Sequence, residues 1–279
     1  MRIGELVRAL DDEFRVDAAA RDDWSALFAQ CYAEPYWRGY VEPGYEGRWN
    51  GLMVRGGGEV EQAWTCVFPS DEIVDGLEPR TLLFSEHPLD FADRPGFQPL
   101  ARESFEALRG KGCSFYHAHE PLDRHATLAP SRLLADGIGL DDVRVSGKLA
   151  VGDSPLSLEG LIARLQDFLG ADIPVHVLLR ASEHAERVAV AAGRGGRPDL
   201  LEQALELGAT TYVTGNAGTY SDVEEVQELN RRFRAVAERA QISVIDATHY
   251  GTERPSQLRM VEWFTRRGLP ARFVENGPK

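Results

Sequence analysis

Four of the seven histidines fall between positions 87 and 125, and a fifth, His249, stands just past another short apolar run. They lie in polar clusters at the exits of candidate strands, where α/β sheets carry their sites. The first cluster is Ser85-Glu86-His87-Pro88, with a proline that ends ladder pairing and turns the chain outward. The second is His117-Ala118-His119-Glu120-Pro121-Leu122-Asp123, and the third is Asp246-Ala247-Thr248-His249-Tyr250-Gly251-Thr252-Glu253. Together Glu86, His87, Asp123, His249 and Glu253 offer two imidazoles and three carboxylates, a mixed donor set suited to Mn, Fe, Zn or Co. Because a carboxylate can bridge, five such groups with water suffice for two ions, which typically stand roughly 3.5 to 4 Å apart and activate a shared water. The plainer reading is that strand-end histidines are partly exposed polar residues and that Asp123 pairs with Arg124 at the surface.

Regular elements must position these groups. Apolar runs predict strands at Ala63–Phe68, Thr81–Ser85, Ser114–His117, Val175–Leu179, Arg187–Ala192, Thr211–Thr214 and Ile242–Ala247. Helical periodicity appears at Ile3–Phe14, Arg21–Ala33, Arg102–Leu108, Ser131–Asp136, Leu158–Leu169, Pro198–Leu207, Asp222–Arg239 and Pro255–Arg267. Between Glu34 and Trp49 the pattern is that of a loop holding several buried aromatics. Strands alternating with helices argue for an α/β fold with largely parallel sheets. Ser157 is placed to cap one helix and Thr252 the last, with Pro255 in its first turn. With Gly251 and a capping Thr252 between them, His249 and Glu253 are expected to meet through a turn and not as a helical pair. A Gly-Asp-Ser-Pro turn marks a boundary near Ala150 to Pro155.

The chain has 279 residues, room for one large domain or two ordinary ones, and its 43% hydrophobic content excludes wholesale disorder. Its net charge of −13 works against nucleic acid and anionic membranes as partners. Cys31, Cys66 and Cys113 are too scattered for a metal knuckle and read as buried thiols of a reducing compartment. With neither a signal peptide's apolar stretch nor a membrane-length one, a cytoplasmic location is expected.

At the three clusters the sequence resembles the Nif-three-like family (NGG-one-interacting factor three), many of whose members carry the name GTP cyclohydrolase 1 type 2. The family's motifs run roughly His-His-Pro-Leu, His-x-Pro-Leu-Asp and Gly-His-Tyr-x-Thr-Glu. Here they stand as Glu86-His87-Pro88-Leu89, His119-Glu120-Pro121-Leu122-Asp123 and Thr248-His249-Tyr250-Gly251-Thr252-Glu253. Asn50-Gly51-Leu52, the glycine-rich turn from Gly193 to Gly196 and Tyr212-Val213-Thr214-Gly215 are similar to further family segments. The resemblance implies that His87, Asp123, His249 and Glu253 bind two divalent metal ions per chain, of Mn, Fe or Zn type. Glu86 replaces the family's first histidine, which shifts preference toward harder ions. Asn216 and Thr248 replace a family acidic residue and a family glycine.

The resemblance also implies two α/β domains in a discontinuous arrangement. Residues 1–149 with 244–279 would form the metal-site domain and residues 150–243 an inserted second one. Ring-forming assembly into a homohexamer is implied as well. The resulting functional expectation is a metal-dependent, cyclohydrolase-like hydrolase of a small nucleotide or heterocyclic substrate, with Glu120 or His119 as acid/base. The alternative is a non-catalytic metal-binding or regulatory scaffold protein. His119 and Tyr250 are also placed to orient ligands or simply to pack. Gly193-Arg194-Gly195-Gly196-Arg197 offers either a phosphate cradle or a tight ligand-free turn. Arg231, Arg232 and Arg234, flanked by glutamates, read as a solvated helix face.

Overall fold

The computed structural model describes residues 1–16, 22–92, 96–217 and 224–275. In chain order come α1 (Ile3–Phe14), α2 (Ser25–Cys31), β1 (Gly51–Val54), β2 (Gln62–Cys66), α3 (Asp71–Gly76), β3 (Thr81–Ser85), β4 (Asp90–Ala92), β5 (Gly96–Gln98), α4 (Arg102–Gly110), β6 (Ser114–His117) and α5 (Glu120–Asp123). There follow α6 (Pro130–Gly137), β7 (Asp141–Ser146), β8 (Leu149–Asp153), α7 (Leu158–Leu169), β9 (His176–Leu179), β10 (Arg187–Arg194), α8 (Pro198–Glu206), β11 (Thr211–Gly215), α9 (Glu224–Ala240), β12 (Ser243–Asp246), α10 (His249–Arg266) and β13 (Ala271–Phe273). The fold is mixed α/β, as the alternation of short apolar runs and helical periods requires. Arg21 and Asp222, where the sequence sets the starts of two helices, lie outside the described residues.

Contacts divide the chain into two units, the first made of Met1–Ala92, Gly96–His125 and the chain from Gln257 through β13, the second of Ala126–Ser256. The described residues of the 150–243 segment lie in the second unit, which also takes in residues 126–149, because α6 packs on β8 and β10 and β7 extends the same sheet, and residues 244–256, because β12 pairs with β11 and β9.

In the first unit a five-stranded sheet runs β1-β6-β3-β2-β13, with β6, β3, β2 and β13 parallel and β1 antiparallel at the edge. Its register aligns Cys66 with Ser85 and Ser85 with His117, so the chain leaves β2, β3 and β6 along one carboxyl edge. The segment before β1 is not a bare loop. Two short 3-10 turns, Tyr36–Gly39 and Tyr45–Gly47, carry Trp37 and Tyr45 into the core, where Phe28, Tyr32 and Trp49 join them. Phe28 and Trp37 meet edge to face at 4.8 Å, a geometry that adds to the area they bury.

The second unit holds a six-stranded sheet, β7-β8-β10-β11-β12-β9, with β10, β11 and β12 parallel. Ala191 aligns with Thr214 and Thr214 with Asp246, so here too three strands end together. Ser157 caps α7 as expected, its Oγ accepting from the Gly160 N–H at 3.1 Å. Cys66 and Cys113 are buried and Cys31 is half-buried, its thiol donating to the Phe97 carbonyl. Among the described residues no helix is long and apolar enough to cross a membrane.

Candidate metal centre

In the first unit the aligned ends of β3 and β6 bring the first two sequence clusters together. Glu86 and His87 follow β3 and are wholly buried, while His119 sits two residues past β6 as the residue before α5. The His87 ring stacks on Phe68 at 4.5 Å, and its centroid is 5.0 Å from that of His119. Backbone bonds fix this turn: the His87 N–H donates to the Val67 carbonyl, and Ser85 Oγ donates to the His87 carbonyl. Gln257 donates its amide to Glu86 Oε2 at 3.3 Å. Asp123 closes the single turn of α5 and is half-buried.

Asp22, which the sequence reading passes over, enters this cluster from the N-terminal segment. Its Oδ1 lies 2.8 Å from His119 Nδ1, and its Oδ2 accepts from Asn50 Nδ2 at 2.9 Å and from the Glu120 N–H at 3.0 Å. Asn50 completes the loop by accepting from the His119 N–H at 2.8 Å. Burial of Asp22 pushes its carboxyl toward protonation, yet the bond to His119, the charge of that imidazole and the donors from Asn50 and Glu120 outweigh it, holding the group well below the ordinary carboxylate range. Trp24 presses edge-on against both imidazoles, 4.9 Å from His119 and 6.0 Å from His87. Asp22, His119 and Glu120 also offer ligand atoms within 4.8 Å of one another. Glu120, however, holds Arg124 at 2.5 Å, and the Asp22 oxygens already take three N–H donors. No spacing rule could have found Asp22, since nearly a hundred residues separate it from its partner.

Buried beneath this cluster is His117, whose Nε2 lies 2.5 Å from the Tyr45 hydroxyl. Burial raises the Tyr45 phenol well above its ordinary value, so it stays protonated and donates. Burial likewise lowers His117 to about 3, against a smaller opposing pull from Asp22.

In the second unit the third cluster corrects the sequence reading. α10 begins at His249, not after a capping Thr252, and Pro255 lies inside it. The cap is Thr248, whose Oγ1 accepts from the Gly251 N–H at 3.0 Å, while Asp246 Oδ1 accepts from the Thr248 N–H. Thr252 is an interior residue whose hydroxyl donates back to the Thr248 and His249 carbonyls and accepts from the Gly193 N–H at 2.9 Å. His249 and Glu253 are therefore the helical i, i+4 pair that the sequence reading set aside, with Nε2 and Oε1 2.9 Å apart and both side chains buried. Tyr250 beside them is 1% exposed.

The glycine-rich turn packs closely against its neighbours. A Cβ on Gly193 would lie 2.1 Å from Glu253 Oε1 and 3.2 Å from His249 Nε2, one on Gly195 2.3 Å from Thr214 Oγ1, and one on Gly196 2.5 Å from the Ala217 backbone. The turn is glycine-rich because it packs against the paired side chains and the next strand end, and Arg197 is engaged by Asp199 at 2.6 Å. Arg231 and Arg234 pair with Glu228 and Glu238 on an exposed helix face.

The sequence profile of Duf34/NIF3 (NGG1p interacting factor 3) matches residues 44–274. The chain belongs to that family. A GTP cyclohydrolase 1 type 2 homolog of Nostoc sp. is 29% identical over 197 residues, 65% of this chain and 68% of that protein. The protein ybgI, of unknown function, is similar over all of both chains with a TM-score of 0.71 at 20% identity. TTHA1606 from Thermus thermophilus matches 99% of this chain and 98% of its own at a TM-score of 0.68 and 24% identity. At such identities the likeness speaks to fold. Within the family's match the chain carries candidate metal-ligand groups, whereas Asp22 and Trp24 precede residue 44.

Proposed function

We propose that Glu86, His87, Asp123, His249 and Glu253 hold two divalent ions and that the chain hydrolyses a small nucleotide or heterocyclic substrate, the chemistry suggested by the name of its Nostoc relative. The observation that carries this reading is a buried donor set. Glu86, His87, His249 and Glu253 are 0%, 1%, 5% and 2% exposed, and the Gly193 turn leaves no room for a methyl group beside the last two. Two carboxylates and two imidazoles, with Asp123 at the end of α5, are the nitrogen and oxygen ligands that divalent transition metals take. When bound, such ions lower the pKa of a shared water and polarise the attacked carbon.

The protein's own groups supply the rest. His119 is the acid/base of choice, because Glu120 is already committed to Arg124. Trp24 and Phe68 wall the His87 side of the cluster, and such apolar surroundings strengthen electrostatic contacts there. Assembly into a ring of identical copies belongs to the same reading and is read out by light scattering.

The test is metal analysis of full-length protein purified without chelator or nickel resin, beside His249→Ala and Asp123→Ala. The reading expects about two equivalents in the wild type and at least one lost in each variant. Reconstituted with Mn or Zn, the wild type is expected to give a saturable rate on a panel of nucleotides and cyclic amides. Less than about a tenth of an equivalent after reconstitution removes the metal centre. Two ions with no turnover across the panel would instead favour a metal-binding or regulatory scaffold.

A further inference from the structure

We propose that Asp22 is a positioning residue for His119: its carboxylate fixes the imidazole with the proton on Nδ1 and the lone pair on Nε2. The inference rests on the reading of His119 as acid/base and adds a component from outside the stretch that matches the family, since Asp22 precedes residue 44.

The geometry determines the tautomer. An ionised carboxylate can only accept hydrogen bonds. Oδ2 is already turned toward two N–H donors, those of Asn50 Nδ2 at 2.9 Å and Glu120 at 3.0 Å, which leaves Oδ1 facing His119 Nδ1 at 2.8 Å. Whichever charge the ring carries, the nitrogen facing Oδ1 must bear a hydrogen. In the neutral ring the basic lone pair is therefore on Nε2. Asn50 cannot rotate to relax this arrangement, because its Oδ1 is held by the His119 N–H at 2.8 Å and its side chain is buried. Trp24, edge-on at 4.9 Å and 73°, restrains the imidazole plane that the Asp22 bond orients. Asp22 is singled out from its neighbour, since Asp23 is exposed and accepts from Ser25 alongside it. A carboxylate behind an imidazole is a recurrent way of fixing tautomer and direction, whether the ring then moves a proton or binds a metal.

Asp22→Asn gives a sharp test. The two donors at Oδ2 would draw the new amide oxygen toward themselves, so the amide nitrogen would face His119 Nδ1. That nitrogen must then accept, and the ring proton is displaced to Nε2. We would record two-bond 15N–1H correlation spectra of the metal-free, full-length protein labelled with 15N-histidine, assigning His119 by its loss in His119→Gln. The expected result is a wild-type ring with its neutral proton on Nδ1, and a folded Asp22→Asn protein in which the Nε2-protonated form dominates by about tenfold, some 1.4 kcal/mol. A wild-type ring protonated on Nε2, or the same tautomer in both proteins, would overturn the proposal. Should Asp22→Asn not fold, Asp22→Ser, which cannot span the gap, is expected to give a mixture of tautomers, and an unchanged Nδ1-protonated ring in it counts against the role. These spectra decide the inference even if no substrate is found. Where turnover is found, Asp22→Asn is expected to lower kcat by about 10²-fold or more while KM stays within about twofold. Equal rates of wild type and variant would refute the role in catalysis.

Discussion

Thr248 stands with φ at +62°, in the left-handed region, immediately before α10. A β-branched residue there is strained by about 1–2 kcal/mol. The same residue caps the helix, its Oγ1 receiving the Gly251 N–H at 3.0 Å, a bond worth about 1 kcal/mol. The two effects separate by substitution. Asparagine tolerates the left-handed region and keeps a capping oxygen, so Thr248→Asn should stabilise by about 1 kcal/mol. Glycine removes the strain and loses only a few tenths of a kcal/mol as a cap, so Thr248→Gly should gain somewhat less. Alanine keeps most of the strain and loses the cap, so Thr248→Ala should lose about 1 kcal/mol. Urea titration of the metal-free protein by far-UV circular dichroism reads these differences as midpoint shifts of about 0.5 M each way, for a slope of about 2 kcal/mol/M. Alanine at or above the wild type, or asparagine below it, would refute both the strain and the cap.

Other expectations follow from the same geometry. Gly193→Ala combines a left-handed φ of +66° with a methyl 2.1 Å from Glu253 Oε1, so it should cost about 1–3 kcal/mol and at least one metal equivalent. Gly208→Ala, at φ +83° with its nearest contact at 3.5 Å, should cost about 1 kcal/mol and leave metal content unchanged, as elemental analysis would show. His117, lowered by burial from 6.5 to about 3, is neutral in the fold while the unfolded chain takes up a proton. Its stabilising contribution is complete above about pH 6.5 and falls by about 1.4 kcal/mol per unit as the pH drops toward 3. His117→Gln, which can still accept from Tyr45, should flatten that slope by one proton's worth in denaturation series at pH 6, 5 and 4. Glu86→His should move metal selectivity from Mn toward Zn in competitive loading, because an imidazole is the softer ligand.

Much of the sheet and helix order was legible because each segment obeys a single period. Thr81–Ser85, buried at every position, reads as an interior parallel strand, and Leu158–Leu169 carries both its apolar stripe and its Ser157 cap. The weak segments were those whose pairing depends on distant chain. β7, with its exposed and polar residues, is a strand only because β8 pairs with it, and β13 only because β2 offers an edge. The start of α10 was misread for a local reason. Gly251 and Pro255 are both helix-breaking by propensity, but Thr248 satisfies an early N–H and Thr252 ties the first turn to Gly193, so tertiary bonds carry the helix through both.

The site shows the same division between local and distant information. The strand-end positions of Glu86, His87 and His119 in the first unit, and of His249 and Glu253 in the second, were legible because register places residues that follow aligned strands at one edge of each sheet. What the spacing could not supply is the group that gives His119 a direction. Asp22 lies where the sequence expects only a helix, Arg21–Ala33, with no chemistry marked on it, yet Trp37, Tyr45 and Trp49 anchor the chain that follows it in the aromatic core. That anchoring turns a distant carboxylate into a fixed neighbour. An exposed carboxylate on a loose segment would spend most of its time in water and gain little from an imidazole. Asp22, instead held by Asn50 and the Glu120 N–H, presents one oxygen to His119 with its second already committed. The N-terminal segment is therefore part of the packing around His119, and substitutions in its aromatic anchors should act on that imidazole through the position of Asp22.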